Sequence, residues 1–430
     1  MRLVFFSPLA TSSAIGRVTR LVVEALTDQG HHVVVVRSED RKLLDTPGQA
    51  LGARIVHWND ERAVRDAADV ADAVVYQIGN HFGFHRGCLE WLPRLPGVVC
   101  LHDYFLGGLF LAWAERHRKE AGSVLRSWYG DDVAERYFSL EAEAFIESTS
   151  EQAPMTEWVT SMAEGVIAHS NWGIAPVLRS CPGPVRVVPL PYDAPEIESR
   201  SQRGEAGGKE DFTVLTVGHI NSNKRAASVI RAIGESEQLR GPTVYRLVGQ
   251  IEPAMEEHLL SLAGSLDVRL LISGEVTDDA LRRAIDESDV VACLRLPAIE
   301  GASASTIEAM LYGKAVVVID TGFYRELPDE YVRKVSPERE IPDLRRELEA
   351  LHADPVNRVA LGRAAAAWSE RTFRADNYAE NLAELCSSVA AAAPALEASR
   401  YFAETLVRWG VSEQWNPTPD LVTPLRIFEG

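Results

Sequence analysis

Two glutamates, Glu300 and Glu308, stand with seven residues between them within Pro297-Ala298-Ile299-Glu300-Gly301-Ala302-Ser303-Ala304-Ser305-Thr306-Ile307-Glu308-Ala309-Met310-Leu311-Tyr312-Gly313. Between them runs a string of small residues whose backbone amides a ligand can approach closely. The amides after Ser303 open a helix, and a helix N-terminus offers unpaired N–H groups and a partial positive charge. The chemistry this suits is an anion seat with carboxylate hydrogen-bond acceptors on its rim. A second stretch, Val217-Gly218-His219-Ile220-Asn221-Ser222-Asn223-Lys224-Arg225, places Lys224 and Arg225 at a helix start. The helix dipole disfavours cations there, so a bound anion accounts for them. Arg295 is a further cation close by. Two polar clusters, Asn80-His81 and His102-Asp103, each follow an apolar run.

The elements that must position these residues are legible as a strand–helix alternation. Strands are expected at Leu3 to Ser7, His32 to Arg37, Asp72 to Ile78, Val98 to Leu101, Val166 to His169 and Val185 to Val188. A helix from Gly16 to Gln29, closed by Gly30, links the first two and makes a βαβ unit, hence a parallel sheet. Residues 194–210 carry Pro, Glu, Ser, Arg, Gln and Gly with almost no large apolar side chains, which marks a linker. The alternation then restarts at Phe212 to Val217 and continues through Tyr245 to Val248, Val268 to Ile272, Val290 to Leu294 and Ala315 to Ile319. Both glutamates, Lys224, Asn80 and His102 therefore sit at C-terminal strand ends, where open α/β sheets bind ligands.

Plainer readings stand beside these. Ser305-Thr306-Ile307-Glu308 fits a capping box, in which Glu308 folds back onto the helix start. A histidine after a strand is often a solvated loop residue. Arg116, His117, Arg118, Lys119 and Arg126 form a basic cluster that suits an anionic lipid-linked acceptor or a solvated helix face. The turn Pro8 to Gly16 holds a single glycine, so the Gly-x-Gly-x-x-Gly dinucleotide fingerprint is absent. A formal charge of −18 over 430 residues argues against general affinity for nucleic acid or anionic lipid. Five scattered cysteines give neither a disulfide framework nor a zinc site.

Glu300 and Glu308, followed by Ala309-Met310 and Gly313-Lys314-Ala315-Val316-Val317-Val318, resemble the signature loop of glycosyltransferase family 4 (glycosyl transferases group 1). The resemblance implies an α/β GT-B fold. Two doubly wound Rossmann-like domains then face a cleft, and a C-terminal helix crosses back to the first. It implies that Glu308 holds the donor ribose, while Glu300 and the backbone of Gly301, Ala302, Ser303, Ala304 and Ser305 hold sugar and diphosphate. Gly218 to Lys224 resembles that family's Val-Gly-Arg...Lys turn, with Lys224 on the lysine position and His219 in place of the arginine. Lys224 is then expected to neutralise most of the diphosphate charge. By the same resemblance His102 lies beside the donor sugar, Gly16 stands at the glycine-rich first loop, and Ser273 to Val276 lines the nucleobase pocket. Asn80 and His81 are acceptor-side candidates.

The expected organisation is an acceptor-side domain (1–193), the linker (194–210), a donor domain (211–374) and a crossing helix with its tail (375–430). The expected activity is retaining, metal-independent transfer of a hexose-type sugar from a nucleoside diphosphate sugar to an acceptor hydroxyl, with His102, Lys224 and Glu300 at the chemistry. The nucleoside diphosphate sugar is a substrate, and no cofactor or metal is expected. The acceptor is a glycan, a glycolipid or a small molecule, and the compartment is the cytoplasm, with peripheral membrane contact open. The alternatives are a GT-B nucleotide-sugar epimerase and a non-catalytic nucleotide-sugar-binding protein.

Overall fold

The computed structural model describes residues 1–140, 142–193 and 211–411, with backbone alone for 142–144. The expected linker and residues 412–430 of the tail lie outside the described residues.

Among the described residues the strands form two all-parallel sheets. The first holds β1 (Arg2–Ser7), β2 (His32–Arg37), β3 (Arg54–His57), β4 (Ala73–Ile78), β5 (Val98–Leu101), β6 (Gly165–Ala168) and β7 (Val185–Val187) in the order β3-β2-β1-β4-β5-β6-β7. The second holds β8 (Phe212–Val217), β9 (Thr243–Val248), β10 (Arg269–Ile272), β11 (Val290–Cys293), β12 (Ala315–Ile319) and β13 (Arg333–Val335) in the order β10-β9-β8-β11-β12-β13. In each sheet the order reverses once, between β1 and β4 and between β8 and β11. That reversal leaves a crevice at the strand ends.

The central strands are apolar on both faces because helices cover both; β8, β11 and β12 are buried along their whole length. The edge strands β3 and β13 are short and carry charge, and Ile55 of β3 is exposed. This is why the apolar-run criterion does not find them.

One apolar cluster is continuous between the two sheets, passing through Leu190, Tyr192, Ala302, Ile307, Phe373, Tyr378 and Leu382. The helix Ala375–Arg408 leaves the second domain and packs on the first helix, Ala14–Asp28, and on β6. Gln29 anchors it by donating from Nε2 to the Asp376 carbonyl at 2.9 Å. Trp368 lies on the helix Pro355–Thr372, Phe373 caps that helix, and Tyr378 lies on this one. Among the described residues no helix is long and apolar enough to cross a membrane.

Candidate active site

The loop after β11 is fixed from both domains. Within its own domain, Leu296 donates its amide to the Asn223 carbonyl at 3.1 Å, and the Asn223 side-chain amide donates to the Pro297 carbonyl. From the other domain come the partners of Gly301, which donates to the His102 carbonyl at 2.8 Å and accepts from Ser170 Oγ at 2.7 Å. Phe105 donates its amide to the Ile299 carbonyl at 3.0 Å. A Cβ on Gly301 would stand 3.2 Å from the His102 carbonyl oxygen, so this docking needs glycine or a shift of the strand end.

Ser303, extended at φ −105°, precedes the helix Ala304–Leu311 and makes no side-chain cap. The opening amides of Ala304, Ser305 and Thr306 consequently have no intrahelical acceptor. The capping-box alternative fails here, because Ser305 is inside the helix and Glu308 points elsewhere.

Glu308 Oε1 accepts from Arg17 Nη1 at 3.2 Å, and Oε2 accepts from Tyr192 Oη at 3.4 Å. Burial pushes the Glu308 carboxyl up, and Arg17 opposes that push. Arg17 comes from the first helix of the other domain, lies 4.5 Å over the Tyr192 ring, and pairs with Asp193 Oδ1 at 2.7 Å. Glu300 Oε1 accepts from Tyr324 Oη at 2.5 Å and from Arg295 Nε at 3.0 Å. Burial, then the Glu300 charge, hold the Tyr324 phenol well above its ordinary range.

Lys224 closes the 3₁₀ turn Ser222–Lys224 after β8 and is buried, with Nζ donating to the Val217 carbonyl at 2.6 Å. Burial and the nearby Arg295 bring its pKa down to about 7 against the pull of Glu300. Gly218 turns the chain at φ +93° beside it. Gly249 fits against Gly218 so closely that a Cβ would meet the Gly218 carbonyl oxygen at 2.1 Å. His219 is exposed on the turn, while Arg225 faces away, ion-paired to Glu340 at 2.6 Å.

Across from these groups, Ser12, Ser13, Ala14, Ile15, Asn80, His81, His85, His102 and Asp103 line a cleft of about 340 Å³ together with Glu300, Ala302 and Ala304. His102 is buried, its Nε2 2.6 Å from Gln77 Oε1, and desolvation with His169 and His85 nearby holds it neutral, far below its usual pKa. Asp103 accepts the Asn80 amide at 2.7 Å and pairs through its backbone with Glu300. Burial raises the Asp103 carboxyl to about 7, with Glu300 adding to the rise against the Asn80 hydrogen bond.

Several expected roles are modified by this geometry. Gly16 is buried, its amide taken by Ser13 Oγ at 3.1 Å, and a Cβ there would stand 3.0 Å from the Pro8 carbonyl. It is a packing glycine, and Ser12 to Ile15 form the cleft wall in its stead. The Asn80 side-chain oxygen is occupied by the amides of Gly108 and Leu109 at 2.8 and 3.1 Å, where it caps the helix Gly107–Ala114. His81 is exposed at the cleft and packs on Phe84, 4.8 Å between ring centres. Val276 is half-buried beyond β10, after Gly274 at φ +63°. Arg116, His117, Arg118 and Lys119 are exposed, and Arg118 lies 3.4 Å over the Phe138 ring.

The structure thus groups Glu300 with Lys224 and Arg295, and brings His102, Ala302 and Ala304 to the cleft that Glu300 lines. Sequence reasoning did not single out Arg17, Tyr192, Tyr324 or Asp103 as site residues. The first three act across long sequence separations that no local pattern reports. Asp103 was visible only as the neighbour of His102.

Residues 198–368 match the family described as glycosyl transferases group 1. No curated protein sequence matches the chain significantly. Among solved structures, sucrose-phosphate synthase from Thermosynechococcus elongatus aligns with a TM-score of 0.62 at 16% identity, covering 91% of this chain and 100% of that one. Anabaena Alr3699/HepE, solved in complex with UDP, aligns with a TM-score of 0.59 at 16% identity, covering 90% and 100%. WaaG, a glycosyltransferase involved in lipopolysaccharide biosynthesis, aligns with a TM-score of 0.56 at 17% identity, covering 88% and 98%. At such identities the alignments speak to fold, and the family match speaks to the second domain. The chain has the GT-B fold, and its residues 198–368 match the model of glycosyl transferases group 1.

Proposed function

We propose that the chain is a retaining glycosyltransferase that moves a hexose-type sugar from a nucleoside diphosphate donor to an acceptor hydroxyl without a catalytic metal. The observation that carries this reading is the placement of Glu300 and the uncapped helix start after Ser303 on one cleft, with the buried Lys224 within electrostatic reach of Glu300 and with Glu308 on the same helix turned toward the other domain.

Cleavage of the anomeric bond leaves growing negative charge on the diphosphate. The opening amides of Ala304 and Ser305 and the Lys224 ammonium stabilise it as it develops, and they are already in place. Glu308 accepts the ribose hydroxyls, and Glu300, fixed by Tyr324, orients the sugar. With Glu300 Oε1 held by two donors, this carboxylate is a positioning group and not a covalent nucleophile. The leaving phosphate takes the acceptor proton on the same face, which preserves the anomeric configuration. The neutral His102 lies beside the sugar as a hydrogen-bonding wall. The UDP of the Anabaena complex supports a uridine donor as the first to try.

Incubation of the chain with nucleoside diphosphate sugars and a panel of acceptor hydroxyls, with product anomers read by NMR, tests the proposal. Donor and product of the same anomeric configuration, formed in the presence of a chelator, support it. Inversion, or activity abolished by chelation and rescued by manganese, contradicts it. Conversion of donor sugar with no acceptor present would favour an epimerase.

A further inference from the structure

We propose that Arg295, and not His219, is the second cation of the donor diphosphate, reaching it beside Ser305 at the start of the helix Ala304–Leu311. The inference rests on the donor reading above and names the source of charge within it.

Arg295 follows β11 by two residues and is only 5% exposed. Its guanidinium is held on two sides, with Nη1 donating to the Leu294 carbonyl at 2.7 Å and Nε paired to Glu300 Oε1 at 3.0 Å. Nη2 is left facing Ser305 Oγ at 3.4 Å, and Ser305 Oγ lies 3.2 Å from Ser303 Oγ. A fixed guanidinium edge therefore adjoins two hydroxyls and the uncapped amides, a donor set that matches phosphate oxygens.

Charge balance points the same way. Two basic side chains, Arg295 and Lys224, share this buried region with one carboxylate, and that carboxylate's Oε1 also serves Tyr324. Among the described residues no carboxylate is ion-paired with Lys224. The other titratable neighbour, the Cys293 thiol, is pushed up by burial and stays uncharged. A buried surplus of positive charge is costly until an anion completes it. Lys224 relieves the surplus by giving up its proton near pH 7, whereas a guanidinium cannot. Arg225 is committed to Glu340 and His219 is in solvent. Arg295 is the cation that remains charged at every working pH.

The contrary reading is that Arg295 only orients Glu300. Calorimetric titration of the full chain and of R295Q, R295K and E300Q with UDP, GDP, ADP and inorganic pyrophosphate, and with the matching nucleosides, separates the two. R295Q should weaken the diphosphate that the unmodified chain binds, and pyrophosphate, by about 10- to 100-fold while nucleoside affinity is unchanged. R295K should recover part of the loss, and E300Q, which keeps both cations, should weaken the diphosphate less than R295Q does. The pH midpoint of diphosphate binding should move upward in R295Q, because Lys224 loses a repulsive neighbour. Unaltered diphosphate affinity in R295Q, with sugar transfer lowered equally in R295Q and E300Q, would overturn the inference alone. An unmodified chain that binds none of these diphosphates would overturn the donor reading as well.

Discussion

Arg17 of the first helix reaches across the cleft to Glu308, its Nη1 3.2 Å from the carboxylate Oε1, so the residue expected to hold the donor ribose is held by the opposite domain. The pair is mostly buried, with Glu308 the more enclosed partner. Removing one member of such a pair leaves an uncompensated charge at a cost of about 3–5 kcal/mol. R17M is expected to lose stability of that order at pH 8. The loss should shrink toward pH 5, because burial already raises the Glu308 carboxyl and a protonated Glu308 needs no cation. Thermal unfolding at the two pH values checks this, and an equal loss at both would contradict it.

Lys224 gives a second expectation. Its pKa of about 7 in the folded chain lies below the ordinary lysine value of 10.5, so the unfolded chain binds more protons between those limits and stability rises with pH across that window. A diphosphate beside the ammonium reverses the shift. Binding above pH 7 should therefore take up a proton and weaken as pH climbs. Calorimetry in buffers of different ionisation enthalpy measures that uptake, and K224M should abolish it.

Asp103 titrates in the opposite sense. Its folded pKa of about 7 stands above the usual 3.8, so its ionised form disfavours the fold above pH 7, and that penalty fades as pH falls toward 4. D103N keeps an oxygen for the Asn80 amide, so the variant is expected to melt above the parent at pH 8. The difference should shrink by pH 5 and vanish near pH 4. A variant less stable at both would show that the ionised carboxylate is favourably held.

The turn that carries Lys224 depends on a contact between two backbones. Gly249, at φ +139°, leaves no room for a Cβ against the Gly218 carbonyl. G249A should cost about 2–4 kcal/mol, since neither partner is a flexible side chain. Diphosphate affinity should fall more than nucleoside affinity, because the displaced turn carries the cation and not the base contacts.

Much of this was legible in the chain itself. His32–Arg37, Val98–Leu101, Phe212–Val217 and Ala315–Ile319 end where the apolar runs end, because central strands buried on both faces have no polar alternation to blur them. Arg54–His57 and Arg333–Val335 escaped since an edge strand buries too little to need an apolar run. Glu300, Glu308 and Lys224 were legible because loop chemistry at a strand end is local. The Arg17–Glu308 and Tyr324–Glu300 contacts were not. They exist only once two sheets face each other, and Arg17 on its own reads as one more surface arginine on an amphipathic helix. The capping role of Asn80, which also lines the cleft, was hidden for a related reason, as nothing near it in sequence shows that the helix Gly107–Ala114 would claim its oxygen.

The central claim is that the crevice between the two sheet switch points seats a nucleoside diphosphate against the helix Ala304–Leu311. A crystal structure of the chain grown with the diphosphate that most raises its melting temperature tests this most directly. The account predicts phosphate oxygens on the Ala304 and Ser305 amides and near Lys224 Nζ, with the ribose hydroxyls on Glu308. A nucleotide bound elsewhere, or bound here with its phosphates pointing away from that helix start, would contradict it.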